Sequence, residues 1–78
     1  MSEPIYAVFS GGTGTAELRW HGADFEEAQR IGIENSRAEP LVSLRKLPPE
    51  WQWKKTVFRW DDLPGEPVWR VVPREGNL

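Results

Sequence analysis

Residues 5–21, IYAVFSGGTGTAELRWH, contain two β-type patterns joined by a glycine-rich loop. The first pattern, from Ile5 to Ser10, is rich in β-branched and aromatic residues and stops at Gly11. The second alternates apolar and polar side chains, which is typical of a half-buried strand running from Ala16 to His21. The stretch therefore predicts an antiparallel hairpin. One face of its second strand is expected to carry Ala16, Leu18 and Trp20, with Trp20 in the core.

A helix is predicted directly after this hairpin. Asp24 precedes Glu27 by three residues, close to a capping box, and two acids in the first turn favour the positive end of a helix dipole. The helix should run from Phe25 to Arg37, before Pro40 ends it. Its apolar side is expected to face the sheet with Phe25, Ala28, Ile31 and Gly32.

Three further strands follow the predicted helix, each closed by turn-forming residues. They are expected at Leu41 to Leu47, Thr56 to Trp60 and Val68 to Val72. The order β-β-α-β-β-β predicts a single α+β domain over residues 1–78, with one helix packed on an antiparallel sheet of four to five strands. Residues 74–78 are expected to be a frayed tail.

The segment EWQWKKTVFRW, residues 50–60, does not fit one regular strand. An uninterrupted strand would put Trp51 and Trp53 on one face and Phe58 and Trp60 on the other. Three alternatives remain open: a bulge near Lys54 and Lys55, two tryptophan pairs that serve different faces, or a loop through Trp53 with the strand beginning afterwards. Each leaves Trp51 or Trp53 more exposed than Trp60.

Trp51 and Trp53 therefore have two interpretations. They either cap an open edge of a small core, or they form an exposed aromatic and basic patch of the kind that dominates binding hot spots. The candidate partner-binding surface consists of Trp51, Trp53, Lys54, Lys55 and Arg59. A secondary acidic face is predicted on the helix at Glu26, Glu27 and Glu34.

The composition restricts the class of protein. With 78 residues, a formal net charge of -2 and no cysteine, the chain has neither a disulfide framework nor a thiolate metal site. Its first residues, MSEPIYAVF, lack the basic and apolar pattern of a signal peptide, and no apolar run approaches a membrane span. We expect a cytoplasmic protein without a membrane partner.

No motif predicts catalysis. The glycines at 11–14 are followed by a strand and by no nearby Lys, unlike a phosphate-binding loop. His21 is the sole histidine, and its neighbour Asp24 is better explained as a helix cap. We therefore expect no catalytic residue, no metal and no cofactor.

Two classes of function are compatible with these features. The first is a non-enzymatic protein-binding module, an adaptor or inhibitor that occupies a site on a partner protein. Compact cysteine-free domains of this size are often encoded by phages and mobile elements, an analogy that extends the expectation to host nucleic-acid machinery. The second is a single-stranded nucleic-acid-binding domain in which the two tryptophans stack on bases. Phosphates would then be contacted by Arg45, Lys46, Lys54, Lys55 and Arg59. The sequence leaves the oligomeric state open.

Overall fold

The computed structural model describes residues 4–51 and 54–71, with the backbone alone for residues 69–71. Its elements are β1 (Ile5–Gly11), β2 (Thr15–Gly22), α1 (Phe25–Ser36), β3 (Leu41–Leu47), β4 (Val57–Arg59), a 3-10 turn (Trp60–Asp62) and β5 (Glu66–Val71). The predicted α+β class and the order β-β-α-β-β-β are confirmed. Trp53 and the predicted tail at residues 74–78 lie outside the described residues. No helix in the described part of the chain is long and apolar enough to cross a membrane.

The five strands form one sheet in the order β4-β2-β1-β3-β5, and all four neighbouring pairs are antiparallel. β1 is therefore central, and β4 and β5 are the two edges of the described sheet. Both edge strands differ slightly from their predicted bounds. β4 ends at Arg59 because the chain turns into a 3-10 helix at Trp60, and β5 begins two residues before Val68.

The helix covers one face of the sheet, which we call the helix face. Its N-terminus is capped by the Asp24 side chain, which accepts a hydrogen bond from the Glu27 N–H at 3.2 Å. Ala28 and Gly32 are buried, whereas Phe25 and Ile31 are half-buried, as the apolar pattern predicts. Beneath the helix lies a buried cluster made of Val8, Ala28, Val42 and Leu44.

The opposite face of the sheet, which we call the loop face, carries a second buried cluster. It consists of Ala7, Phe9, Ala16, Leu47 and Phe58. The rings of Phe9 and Phe58 meet edge-to-face with their centroids 5.5 Å apart. The helix α1 does not cover this cluster, because it lies on the other face of the sheet. Instead, Trp51, Trp60 and Leu63 pack on it from the connections on either side of β4.

A β-bulge in the first hairpin divides the side chains of β2 between these two faces. Phe9 pairs with Leu18 and Val8 pairs with Trp20, so Arg19 is the extra residue. The expectation that Ala16, Leu18 and Trp20 share one face is therefore wrong for Trp20. One inserted residue reverses the alternation, which puts Trp20 on the helix face.

The chain between β4 and β5 crosses the loop face from one edge of the sheet to the other. Arg45 of β3 holds it there, donating from Nε to the Pro64 carbonyl at 2.6 Å and from Nη2 to the Gly65 carbonyl at 2.7 Å. Gly65 has a φ of 76°, and a Cβ at this position would lie 2.3 Å from the Lys46 carbonyl oxygen. Only glycine fits such a backbone. We call residues 60–65 the crossing segment.

Candidate interaction surface

Trp51 lies at the start of the segment that was predicted to bind a partner. The backbone N–H of Trp51 donates to the Pro48 carbonyl at 3.0 Å, and this hydrogen bond closes a turn after β3. The side chain is half-buried and packs on the loop-face cluster. Among the described residues, regular strand pairing with β2 begins only at Val57, which agrees with the alternative in which the strand begins after Trp53. Gln52 and Trp53 themselves lie outside the described residues. Trp51 anchors the turn after β3 to the sheet.

Three cationic side chains lie on the short strand β4 or just before it. Lys54, Lys55 and Arg59 are all exposed. The Lys55 ammonium lies 5.2 Å from the centroid of the Phe58 ring, which is a cation–π distance. None of the three forms an ion pair with a described carboxylate. All three charged groups are therefore exposed at this edge of the sheet.

Val57 lies among these cations and is 45% exposed. Phe58 pairs with Ala16 and enters the loop-face cluster, so the alternation of the strand directs Val57 and Arg59 to the other side. On that side α1 packs mainly against β1, β2 and β3. Sequence reasoning missed Val57. Val57 can be identified because Phe58 is buried on the loop face, and neighbouring residues of a strand point to opposite faces.

We call the four exposed residues at this edge of the sheet the β4 surface: Lys54, Lys55, Val57 and Arg59. Of the five residues predicted for the partner-binding surface, the structure groups Lys54, Lys55 and Arg59 here. Trp51 packs instead on the buried cluster of the loop face. Trp53 is outside the described residues.

The other two bases of the predicted nucleic-acid track lie elsewhere. Arg45 and Lys46 belong to β3, which β1 and β2 separate from β4. Arg45 is on the loop face, where its guanidinium donates to two carbonyls of the crossing segment. Burial lowers the pKa of Arg45, because partial desolvation disfavours its charged form. Lys46 is the next residue along the strand and therefore faces the helix side. The five bases do not form one continuous track.

The secondary acidic face is present on α1 but contains its own counter-charge. Arg30 lies between the acids, donating from Nη1 to Glu34 at 2.7 Å and from Nε to Glu27 at 3.2 Å. The hydrogen bond with Glu27 is the largest cause that raises the pKa of Arg30, followed by the charges of Glu27 and Glu34. Glu26 is exposed beside them. The face is therefore only weakly acidic.

The residues considered above for catalysis or metal binding form no such site among the described residues. Asp24 is used as the helix cap. Within residues 4–51 and 54–71, no group of three or more His, Cys, Asp or Glu side chains could hold a metal ion. The cavities of the described residues include an open one of about 370 Å³ between the end of β3 and the start of β5. A second, of about 230 Å³, opens between β3 and the crossing segment and is below the size typical of small-molecule sites. It is lined by Ser43, Arg45, Trp60, Leu63 and Pro67.

Comparison of the chain with protein-family models, with curated proteins and with solved structures found no match. The geometry of the β4 surface is accordingly the basis for a functional proposal.

Proposed function

We propose that this chain is a small non-enzymatic protein-binding module, an adaptor or inhibitor that occupies a site on a partner protein in the cytoplasm. The observation that carries the proposal is the β4 surface. Three exposed cations, none in an ion pair with a described carboxylate, surround an exposed valine on an edge strand. Charged groups around a small apolar contact favour specific recognition and rapid association.

The packing of Trp51 and Phe58 against the core also supports the β4 surface as a binding site. Trp51 and Phe58 pack into the loop-face cluster on either side of the exposed lysines. Lys55 and Arg59 thus lie close to Phe58, whose ring is held in the core. A preorganised surface loses less conformational entropy on binding than a mobile loop does.

Single-stranded nucleic acid is the weaker candidate as a ligand. Phosphate recognition improves with the number of cations along one track, and here Arg45 and Lys46 lie away from the β4 surface. Arg45 is also engaged with the carbonyls of Pro64 and Gly65. A partner protein needs only the local cluster.

The test is affinity capture from a cell lysate with and without nuclease, using two variants of equal charge change. Lys54→Glu/Arg59→Glu alters the β4 surface, and Arg37→Glu/Lys46→Glu alters two exposed bases outside it. We expect a protein that resists nuclease, is lost by the first variant and is retained by the second. Both variants should be checked for folding by NMR.

Two results would contradict the proposal. Loss of the captured protein in both variants would show that overall charge, and not the β4 surface, determines binding. Capture that disappears with nuclease and weakens steeply with salt would indicate nucleic acid, since released counterions make such binding strongly salt-dependent.

A further inference from the structure

We propose that a second copy of this chain pairs with the β4 surface, strand to strand and antiparallel, so that two β4 strands join two sheets across a twofold axis at Phe58. This inference rests on the proposed function and adds a regulation to the same site, since one edge cannot hold a second copy and a partner protein together. It follows from the direction of the backbone hydrogen bonds in β4 and from the opposite charges before and after that strand.

The backbone of β4 directs two residues toward the open edge of the sheet. Leu18 N–H donates to the Thr56 carbonyl at 2.8 Å, which fixes the phase of the β2–β4 ladder. In an antiparallel ladder, alternate residues direct their N–H and C=O groups to the same neighbour. Phe58 therefore bonds to β2 as Thr56 does, while Val57 and Arg59 direct their backbone groups away from it. No described strand lies beyond β4.

Symmetry and charge together select one register for two facing β4 strands. A twofold axis between identical antiparallel strands passes through one residue, because opposed residues must project from the same face of the sheet. An axis at Val57 would set Lys55 opposite Arg59 of the second copy, and an axis at Arg59 would set the two arginines opposite each other. Like charges at facing positions are destabilising. The axis at Phe58 avoids both arrangements.

The register centred on Phe58 also satisfies the outward backbone groups. Val57 of each copy then lies opposite Arg59 of the other. Because the backbone groups of both residues point outward, the two pairs exchange about four hydrogen bonds. Phe58 of each copy belongs to the loop-face cluster, so the two clusters meet at the axis.

The charges on either side of β4 are complementary in this register. Lys54 and Lys55 precede the strand, whereas Asp61 and Asp62 follow it in the 3-10 turn, and all four side chains are exposed. None of the four forms an ion pair within the described part of the chain. Since the second copy runs in the opposite direction, the lysines of each copy lie beside the aspartates of the other. Cations alone on an edge strand oppose self-association, but here acids face them at both ends.

The position of Lys55 fits this arrangement. Its ammonium lies 5.2 Å from the centroid of the Phe58 ring, which points to the loop face. The 3-10 turn that carries the aspartates begins the crossing segment over that same face. The cation of one copy and the acids of the other therefore meet on one side of the joined sheet.

Glu17 adds an acid on the helix side. It is exposed and pairs with Val57, and Arg59 of the second copy lies on the far side of the same valine. With strands about 4.8 Å apart, the acid and the base lie within reach of each other's side chains. Glu17 also contacts Arg19 at 3.6 Å, so this row contributes less than the lysine–aspartate contacts.

The dimer covers the surface that we assign to the partner protein. A contact of this small size is typical of transient association, so monomer and dimer both exist in solution. A partner protein would bind the monomer and displace the second copy.

The central experiment is sedimentation of the whole chain and of charge-reversed variants checked for folding by NMR. Lys54→Asp/Lys55→Asp and Asp61→Lys/Asp62→Lys each set like charges against one another across the axis. Each should dimerise at least about tenfold more weakly, which corresponds to about 1.4 kcal/mol. A chain with all four changes has the net charge of the natural chain and restores opposite charges at both ends. Its dimerisation should lie within about threefold of the natural value.

The backbone pairing is tested without any substitution by amide hydrogen exchange at rising protein concentration. The amides of Val57 and Arg59 should exchange more slowly as dimer forms, because their N–H groups enter the new ladder. The amide of Phe58, which already bonds to β2, should respond less. Equal responses of all three amides would reject the pairing of two β4 strands.

Other results separate this inference from the proposed function. A chain that stays monomeric at NMR concentrations, while partner capture still depends on Lys54 and Arg59, would overturn the dimer and leave the protein-binding function intact. A dimer that the charge-reversed variants leave unchanged would reject the register at Phe58. A dimer that weakens in both variants and recovers in the fourfold variant, from a chain that captures no protein, would support the strand pairing and contradict the proposed function.

Discussion

Arg45 and Gly65 are joined across the loop face by a hydrogen bond of 2.7 Å from the guanidinium Nη2 to the glycine carbonyl. The neighbouring Pro64 carbonyl accepts from Nε of the same side chain at 2.6 Å. The planar guanidinium thus holds two consecutive carbonyls, which a lysine ammonium could not do with the same geometry. The bridge connects β3 to the chain that leads into β5.

Arg45→Met should destabilise the domain because it removes both donors while retaining most of the aliphatic stem. Hydrogen bonds from a charged group contribute about 1.5 to 3 kcal/mol, and partial exposure of this pair favours the lower end of that range. Urea unfolding measures the difference. Lys46→Met is the control, since Lys46 is exposed on the adjacent position. Equal stability of the two variants would show that the bridge contributes nothing.

Gly65→Ala should destabilise more strongly, by about 2 to 4 kcal/mol, because it combines a positive φ with a steric clash. The added Cβ would lie 2.3 Å from the Lys46 carbonyl and 2.5 Å from Leu47 Cδ2. Gly12→Ala is the matched control, because a Cβ at Gly12 meets no atom within 4 Å. Thermal unfolding compares the two. A Gly65→Ala protein as stable as Gly12→Ala would contradict the description of this turn.

Most elements of the fold follow from local sequence patterns, such as helix caps and turn-forming residues. Asp24, followed by Glu26 and Glu27, marks the start of α1, and the segment from Leu41 to Leu47, closed by Pro48 and Pro49, predicts β3 with its observed bounds. The bulge at Arg19 was not predictable in this way. Its residues alternate perfectly in sequence, and the register shift becomes evident only when Trp20 pairs with Val8. A local pattern carries no information about which partner strand a residue meets.

The composition of the candidate β4 surface was predictable in part. Lys54, Lys55 and Arg59 were identified from their charge, and exposed charge is the default for such residues. Arg45 has the same residue type but a structural role, because the crossing segment brings carbonyls to its guanidinium. That long-range contact depends on the path of residues 60–65 over the sheet, which composition and periodicity do not specify.

Trp60→Phe should release the glycine loop while preserving most of the ring packing. The Trp60 indole N–H donates to the Gly12 carbonyl at 2.7 Å, across 48 positions of the chain. Its loss should lower stability by about 1 kcal/mol and accelerate amide hydrogen exchange in residues 12–14. Trp20→Phe, on the helix face, is the control for loss of ring area. Exchange in the loop that responds equally to both variants would exclude a specific tether.

Arg19→Met tests the polar network that occupies the bulge. Arg19 Nε donates to the Ser10 hydroxyl at 2.8 Å, and the Ser10 hydroxyl in turn lies 3.3 Å from Asn35 Oδ1 at the end of α1. Arg19 also reaches Glu39 at 3.3 Å. Because Ser10 is fully buried, losing this donor leaves a polar group with fewer partners in the core.

We expect Arg19→Met to lower the free energy of unfolding by about 1 to 2 kcal/mol. Arg59→Met is the matched control: it is the same substitution on a neighbouring strand, at an exposed side chain without an ion pair to a described carboxylate, and should change stability by less than about 0.5 kcal/mol. Urea midpoints at an unchanged m-value report the difference. If both variants unfold at the same midpoint, the network does not stabilise the bulge, and backbone pairing alone holds Trp20 against the helix.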